Sequence, residues 1–112
     1  MDISINYASV FKAISDETRL RIVEMLSCGE MCACDILEYF RITQPTLSYH
    51  MKILTDSGLV MSRKEGTWIR YKNNEDLLKT LQSYWTKLIE GDESCICHQM
   101  KDVSNTCKIS AL

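Results

Sequence analysis

No apolar run in the sequence approaches the roughly 20 residues that a membrane span requires. The first residues, Met1 to Lys12, show neither the basic start nor the apolar stretch of an export signal. Residence in the cytoplasm, with no membrane partner, is therefore expected. Also missing are a Gly-rich loop for nucleotide phosphates and a Cys-x-x-Cys pair. The interval from Cys34 to Arg41 is one residue too long for a Cys-x5-Arg phosphate loop. A thiol oxidoreductase is thus the remote alternative, and the chain is read as a binding protein rather than an enzyme. Internal repeats and low-complexity stretches are absent, and so is any excess of positive charge, the net value being −2.

At 112 residues the chain is long enough for one domain and too short for two independent cores. The negative total hides a strong asymmetry. Residues 41–72 hold six Lys/Arg against two Asp/Glu, whereas 1–40 hold three against seven and 73–112 hold four against six. A locally basic segment can dock on phosphates even in an acidic chain, because screening confines the interaction to about 10 Å. The six cysteines are the other conspicuous feature. In a reducing compartment they point to thiol chemistry or metal ligation rather than structural disulfides.

Residues 7–14 read as a short helix, with Val10, Phe11 and Ile14 at helical spacing. Ser15 or Asp16 can cap a second helix that sets Leu20, Val23 and Leu26 on one face and stops at Gly29. A third helix is expected over 32–40, with Ile36, Leu37 and Phe40 inward. Thr43 can cap a fourth, whose first turn tolerates Pro45 and whose Leu47, Met51 and Leu54 face the core. Gly58 suits the left-handed position that closes it. Residues 60–64 and 67–72 then alternate as strands around Glu65-Gly66, a β-hairpin signal. The last helix, about 75–89, carries Leu77, Leu78, Leu81, Tyr84, Trp85, Leu88 and Ile89 as a broad apolar stripe that needs a partner, either the domain's own core or a second copy. The expected organisation is a folded domain over 1–90 and a flexible, cysteine-bearing tail over 91–112.

Two helices joined by a tight turn and followed by a basic hairpin make a winged helix-turn-helix, a mainly α fold with a small β-hairpin. Its partner would be double-stranded DNA. The second helix of the pair would enter the major groove, offering Gln44, Thr46, Ser48, Tyr49, His50 and Lys52 to base edges or phosphates. On the wing, Arg63, Lys64 and Arg70 would lie along the backbone and supply salt-dependent affinity.

The order of five segments resembles the ArsR/SmtB metal-sensing repressors. These are Ser15 to Ile22, Glu30 to Ile36, Gln44 to Leu54, Ser57 to Val60, and Arg63 to Tyr71. The likeness runs over residues 7–89. It implies a homodimer built by the first and last helices, an inverted-repeat operator, and release of that operator when an inducer binds.

Within this resemblance, Cys32-Ala33-Cys34-Asp35 looks like the Cys-x-Cys-Asp signature of the arsenical and cadmium/lead branches. The chemistry agrees: soft thiolates select thiophilic ions over magnesium or calcium. As(III) or Sb(III) is the favoured inducer, with Cd, Pb or Zn as alternatives. Trivalent arsenic prefers three thiolates, yet the position where the arsenical pattern has its next cysteine is Leu37. The further sulfur could come from Cys28, one turn before Cys32 on a continuous helix, or from Cys95, Cys97 or Cys107. The last three, with His98, could also furnish four zinc ligands. On a regular helix, residues two apart point about 200° from one another. Cys32 and Cys34 are therefore expected to share an ion only if the helix start unwinds, shifting the reading helix behind it. A redox sensor closing a disulfide is the rival, a bridge that would be strained inside a helix.

Overall fold

The computed structural model describes residues 5–91. The tail sulfurs Cys95, Cys97 and Cys107, and His98, lie outside the described residues. Elements follow in the order α1 (Tyr7–Ala13), α2 (Glu17–Leu26), β1 (Met31–Cys32), α3 (Ala33–Tyr39), α4 (Gln44–Ser57), β2 (Val60–Glu65), β3 (Trp68–Asn73) and α5 (Glu75–Glu90). No helix among the described residues is long and apolar enough to cross a membrane. The chain groups into two compact units that meet between Lys79 and Thr80, within α5.

In the first unit the helix starts follow local chemistry. Asn6 caps α1 by accepting the Ser9 N–H, and Asp16 caps α2 by accepting the Arg19 N–H. Thr43 Oγ1 accepts the Thr46 N–H at the start of α4. Each contact satisfies an amide that the helix itself cannot pair. Gly58 closes α4 at φ 89°, where a side chain would be strained and a Cβ would meet Leu77. In the hairpin Gly66 takes φ 65° and the turn falls on Gly66-Thr67, so Glu65 belongs to β2 rather than to the turn.

The core forms where α1 and α2 pack on α4, α4 on β2, and α2 and α3 on β3. Ile22, Ile36, Met51, Leu54, Leu59 and Val60 are its largest fully buried side chains. The expected inward face of α4, Leu47, Met51 and Leu54, is buried throughout. On α2 the buried pair is Ile22 and Leu26, while Leu20 is 45% exposed. An i, i+4 pairing therefore decides that face, and the expected inward Leu20 is corrected.

The expected two-stranded wing is a three-stranded antiparallel sheet in the order β1-β3-β2. α2 stops at Leu26, before the expected Gly29, and the chain then extends so that Met31 pairs with Tyr71 and Cys32 with Arg70. α3 accordingly begins at Ala33, not at Cys32. Asn73 anchors the far end of β3 by donating from Nδ2 to the Val23 carbonyl, 3.0 Å away.

In the second unit the described part is the last three turns of α5. There Leu81 is buried, whereas Trp85, Leu88 and Ile89 are exposed on the same apolar stripe.

Candidate functional site

Cys32 sits where two kinds of backbone meet: it is the last residue of β1 and the N-cap of α3, with extended dihedrals of φ −86° and ψ 160°. Its N–H donates to Asp35 Oδ2 at 3.4 Å, and the two residues form a capping box. This arrangement explains the spacing Cys-x-Cys-Asp physically. The aspartate fixes the helix start, the first cysteine stays outside the helix, and the second points from its first turn.

The two sulfurs converge as a result. Cα atoms of Cys32 and Cys34 stand 5.4 Å apart, and the structure joins the sulfurs as a disulfide. The ligand atoms of Cys32, Cys34 and Asp35 all lie within 4.8 Å of one another, with Cys32 buried and the other two exposed. Unwinding of the helix start, expected when both cysteines were placed on α3, is unnecessary, because Cys32 is not helical. Once the disulfide is reduced, a soft ion fits this donor set: two thiolates would stand side by side, with a carboxylate that already restrains the backbone next to them.

Cys28 is not part of this cluster. It is exposed in the turn after α2 and borders a different groove with Gly29, Glu30 and Lys72. The one-turn spacing that a continuous helix would give does not arise, since α2 ends at Leu26 and Met31–Cys32 is a strand.

Cys34 also lines a groove of about 280 Å³ between α3, α4 and the hairpin. Its walls include Leu37 of α3, Gln44 and Ser48 of α4, and Thr67 and Trp68 of the hairpin. Of the α4 side chains expected to meet DNA, Gln44, Thr46, Ser48, Tyr49 and Lys52 are exposed. Lys52 reaches Asp56 at 3.2 Å, an exposed pair of little energetic weight.

His50 departs from that face. Its Nδ1 accepts from Arg19 Nη1 at 3.0 Å, its side chain is only 13% exposed, and Asp16 Oδ2 lies 3.9 Å away. Arg19 in turn donates from Nε to the Ala13 carbonyl at 2.6 Å. His50 therefore ties α4 to the α1–α2 corner. The Arg19 N–H and, beyond it, the Arg19 charge hold the Asp16 carboxyl below the usual carboxylate range, against partial desolvation.

The wing cations are not all free for phosphate. Glu30 receives Arg63 in a fork, Nε at 3.1 Å and Nη2 at 2.9 Å, and receives Arg70 Nε at 3.3 Å. Glu65 stands behind the pair, 3.6 Å from Arg70 and 3.9 Å from Arg63. The hydrogen bonds from Arg63 and then Arg70 depress the Glu30 carboxyl, while the acid raises Arg63. Lys64 is exposed on β2 opposite Ile69. The sequence reading gave Glu30 no role. Its contacts lie 33 and 40 residues away, and no local pattern marks them.

Comparison with known proteins places this geometry. The family model described as "Bacterial regulatory protein, arsR family" matches residues 16–62. The chain is 44% identical over 94 residues to an arsenical resistance operon repressor of Staphylococcus xylosus, covering 84% of this chain and 90% of the relative. Among solved structures, an ArsR family transcriptional regulator shares the fold with a TM-score of 0.69 at 21% identity, over 75% of this chain and 87% of the other. The solution structure of a homodimeric winged helix-turn-helix DNA-binding domain from Mycobacterium bovis, a possible ArsR-family regulator, aligns at 30% identity. Its TM-score is 0.60, over 77% of this chain and 83% of that one.

Proposed function

The chain belongs to the arsR family of bacterial regulatory proteins, and we propose that it is an arsenical-responsive transcriptional repressor. It acts as a homodimer that holds double-stranded operator DNA through α4 and the β2–β3 wing. It lets go when the Cys32 and Cys34 thiolates take As(III) or Sb(III). The observation that carries this reading is the convergence of Cys32, Cys34 and Asp35 within 4.8 Å, with Cys34 lining the groove shared with Gln44, Ser48 and Trp68. A change at the α3 start is thus one groove away from both DNA-facing elements, which is the physical requirement for an inducer to alter operator affinity.

Each element has a distinct task. Gln44, Thr46, Ser48 and Tyr49 read base edges, and Lys52, Arg63, Lys64 and Arg70 meet phosphates. Asp35 holds the Cys32 backbone so that the two thiolates meet one ion. A third sulfur for arsenic comes from Cys95, Cys97 or Cys107, or from Cys28 after a rearrangement of the turn behind α2. The apolar residues Trp85, Leu88 and Ile89, 54%, 57% and 82% exposed, suit burial against a second copy together with the first helix.

A gel shift on the DNA upstream of the gene, titrated under reducing conditions with arsenite, antimonite, cadmium and zinc, tests the proposal. Arsenite and antimonite are expected to release the DNA at the lowest concentrations. Release by zinc or cadmium alone would move the chain to another branch, and no release by any ion would refute the inducer assignment. Repeating the titration on a chain ending at Gly91 assigns the third sulfur: loss of release there places it in the tail.

The Cys32–Cys34 disulfide supports a second reading, a thiol redox sensor. In that case an oxidant releases the DNA in the absence of any metalloid, and excess dithiothreitol restores binding.

A further inference from the structure

Arg63 and Arg70 face each other directly across the β2–β3 ladder. Like charges in that position repel, so something must hold them together. Glu30 does so: one carboxylate takes two hydrogen bonds from Arg63 and one from Arg70. A guanidinium fork grips carboxylate and phosphate with the same geometry. The site is also open to solvent, the Arg63 side chain being 53% exposed and that of Glu30 27%.

We infer that Glu30 is an internal phosphate mimic: it occupies the wing's guanidinium pair in the free protein and is displaced by a DNA backbone phosphate. The inference rests on the DNA-binding reading above and adds to it a residue that weakens binding. Glu30 lies two positions before Cys32, and Cys32 is the ladder partner of Arg70. The acid is therefore joined to the thiol site by two peptide links and by one rung of the sheet. Its release from the arginines frees the segment leading into β1, so occupancy of the wing and the position of the first cysteine are mechanically linked.

The test needs no inducer. Binding of the full chain to the upstream duplex and to an unrelated duplex of equal length is measured by fluorescence anisotropy across a salt series. Wild type, Glu30→Gln, Arg63→Gln and the double variant are compared. Glu30→Gln is expected to bind both duplexes several-fold more tightly, because the gain is in phosphate contact and not in base reading. Its log–log salt slope should steepen by about one to two counterions, at about 0.9 per phosphate. In the Arg63→Gln background the same substitution should gain much less. Should Glu30→Gln fail to melt cooperatively, Glu30→Asp replaces it, with a shorter reach and the same expected direction.

Unchanged affinity and slope in a folded Glu30→Gln variant, or weaker binding, would overturn the inference and leave Glu30 as a purely structural tie. A wild-type chain that bound the upstream duplex no better than the unrelated one would count instead against the repressor reading itself.

Discussion

The reading helix and the wing stand on the same core but solve opposite problems. α4 is short of charge on its exposed face, is capped at both ends, and presents neutral hydrogen-bonding side chains. The wing carries the cations, and the structure engages two of them with an acid from outside the hairpin. Base reading needs side chains held ready and unoccupied, whereas backbone attraction is strong and indiscriminate unless something restrains it. Under the proposed function, one region would supply discrimination and the other affinity that is held in check.

Both regions rest on one support, and its loss should have the largest effect. Leu54 of α4 is fully buried in the core. Leu54→Ala should cost about 2–5 kcal/mol in chemical denaturation, and reading helix and wing should lose order together. Independent loss of the two would show that they do not share one core.

Next in size is the test of discrimination. Gln44→Ala should lower the preference for operator over unrelated DNA by about 1–3 kcal/mol. Arg63→Gln should weaken binding to both duplexes alike and flatten the salt dependence. If the two substitutions produced the same pattern, the division between base reading and backbone attraction would fail.

A smaller effect should follow from Thr43→Ala, which removes the α4 cap at a cost of about 1 kcal/mol in thermal or chemical unfolding. Smallest is the acid limb of stability. The folded-state carboxyl of Asp16 titrates below its unfolded value, so its contribution is complete above the ordinary carboxylate range and disappears as pH falls through the depressed folded value. Asp16→Asn, which preserves a cap but not the charge, should therefore melt slightly lower than the wild type at neutral pH and depend less on pH in that acid window, the two chains converging at its acid end.

How far the sequence discloses each region follows from the range of its interactions. α4 is legible because Thr43, Pro45, the Leu47-Met51-Leu54 spacing and Gly58 all act within a few residues. The hairpin announces itself in the same way, through Gly66 between alternating segments. β1 is silent, since two residues have no period and their partners lie some forty positions on. Treating Cys32 as helical then gave the thiol pair the wrong directions, although the cysteines themselves stand out in the composition. His50 illustrates a finer limit. It lies within a stretch of polar residues on α4, and only the placement of Arg19 shows which way it turns.

Under the proposed function, Cys32 and Cys34 hold the ion whose arrival lets the DNA go. The most direct measurement is the release of a labelled upstream duplex from a Cys32→Ser/Cys34→Ser double variant during anaerobic arsenite titration, beside the wild-type chain. The variant should bind DNA like the wild type and keep it at arsenite concentrations that empty the wild-type complex. Release from the double variant at the wild-type concentration would contradict that role of the two cysteines.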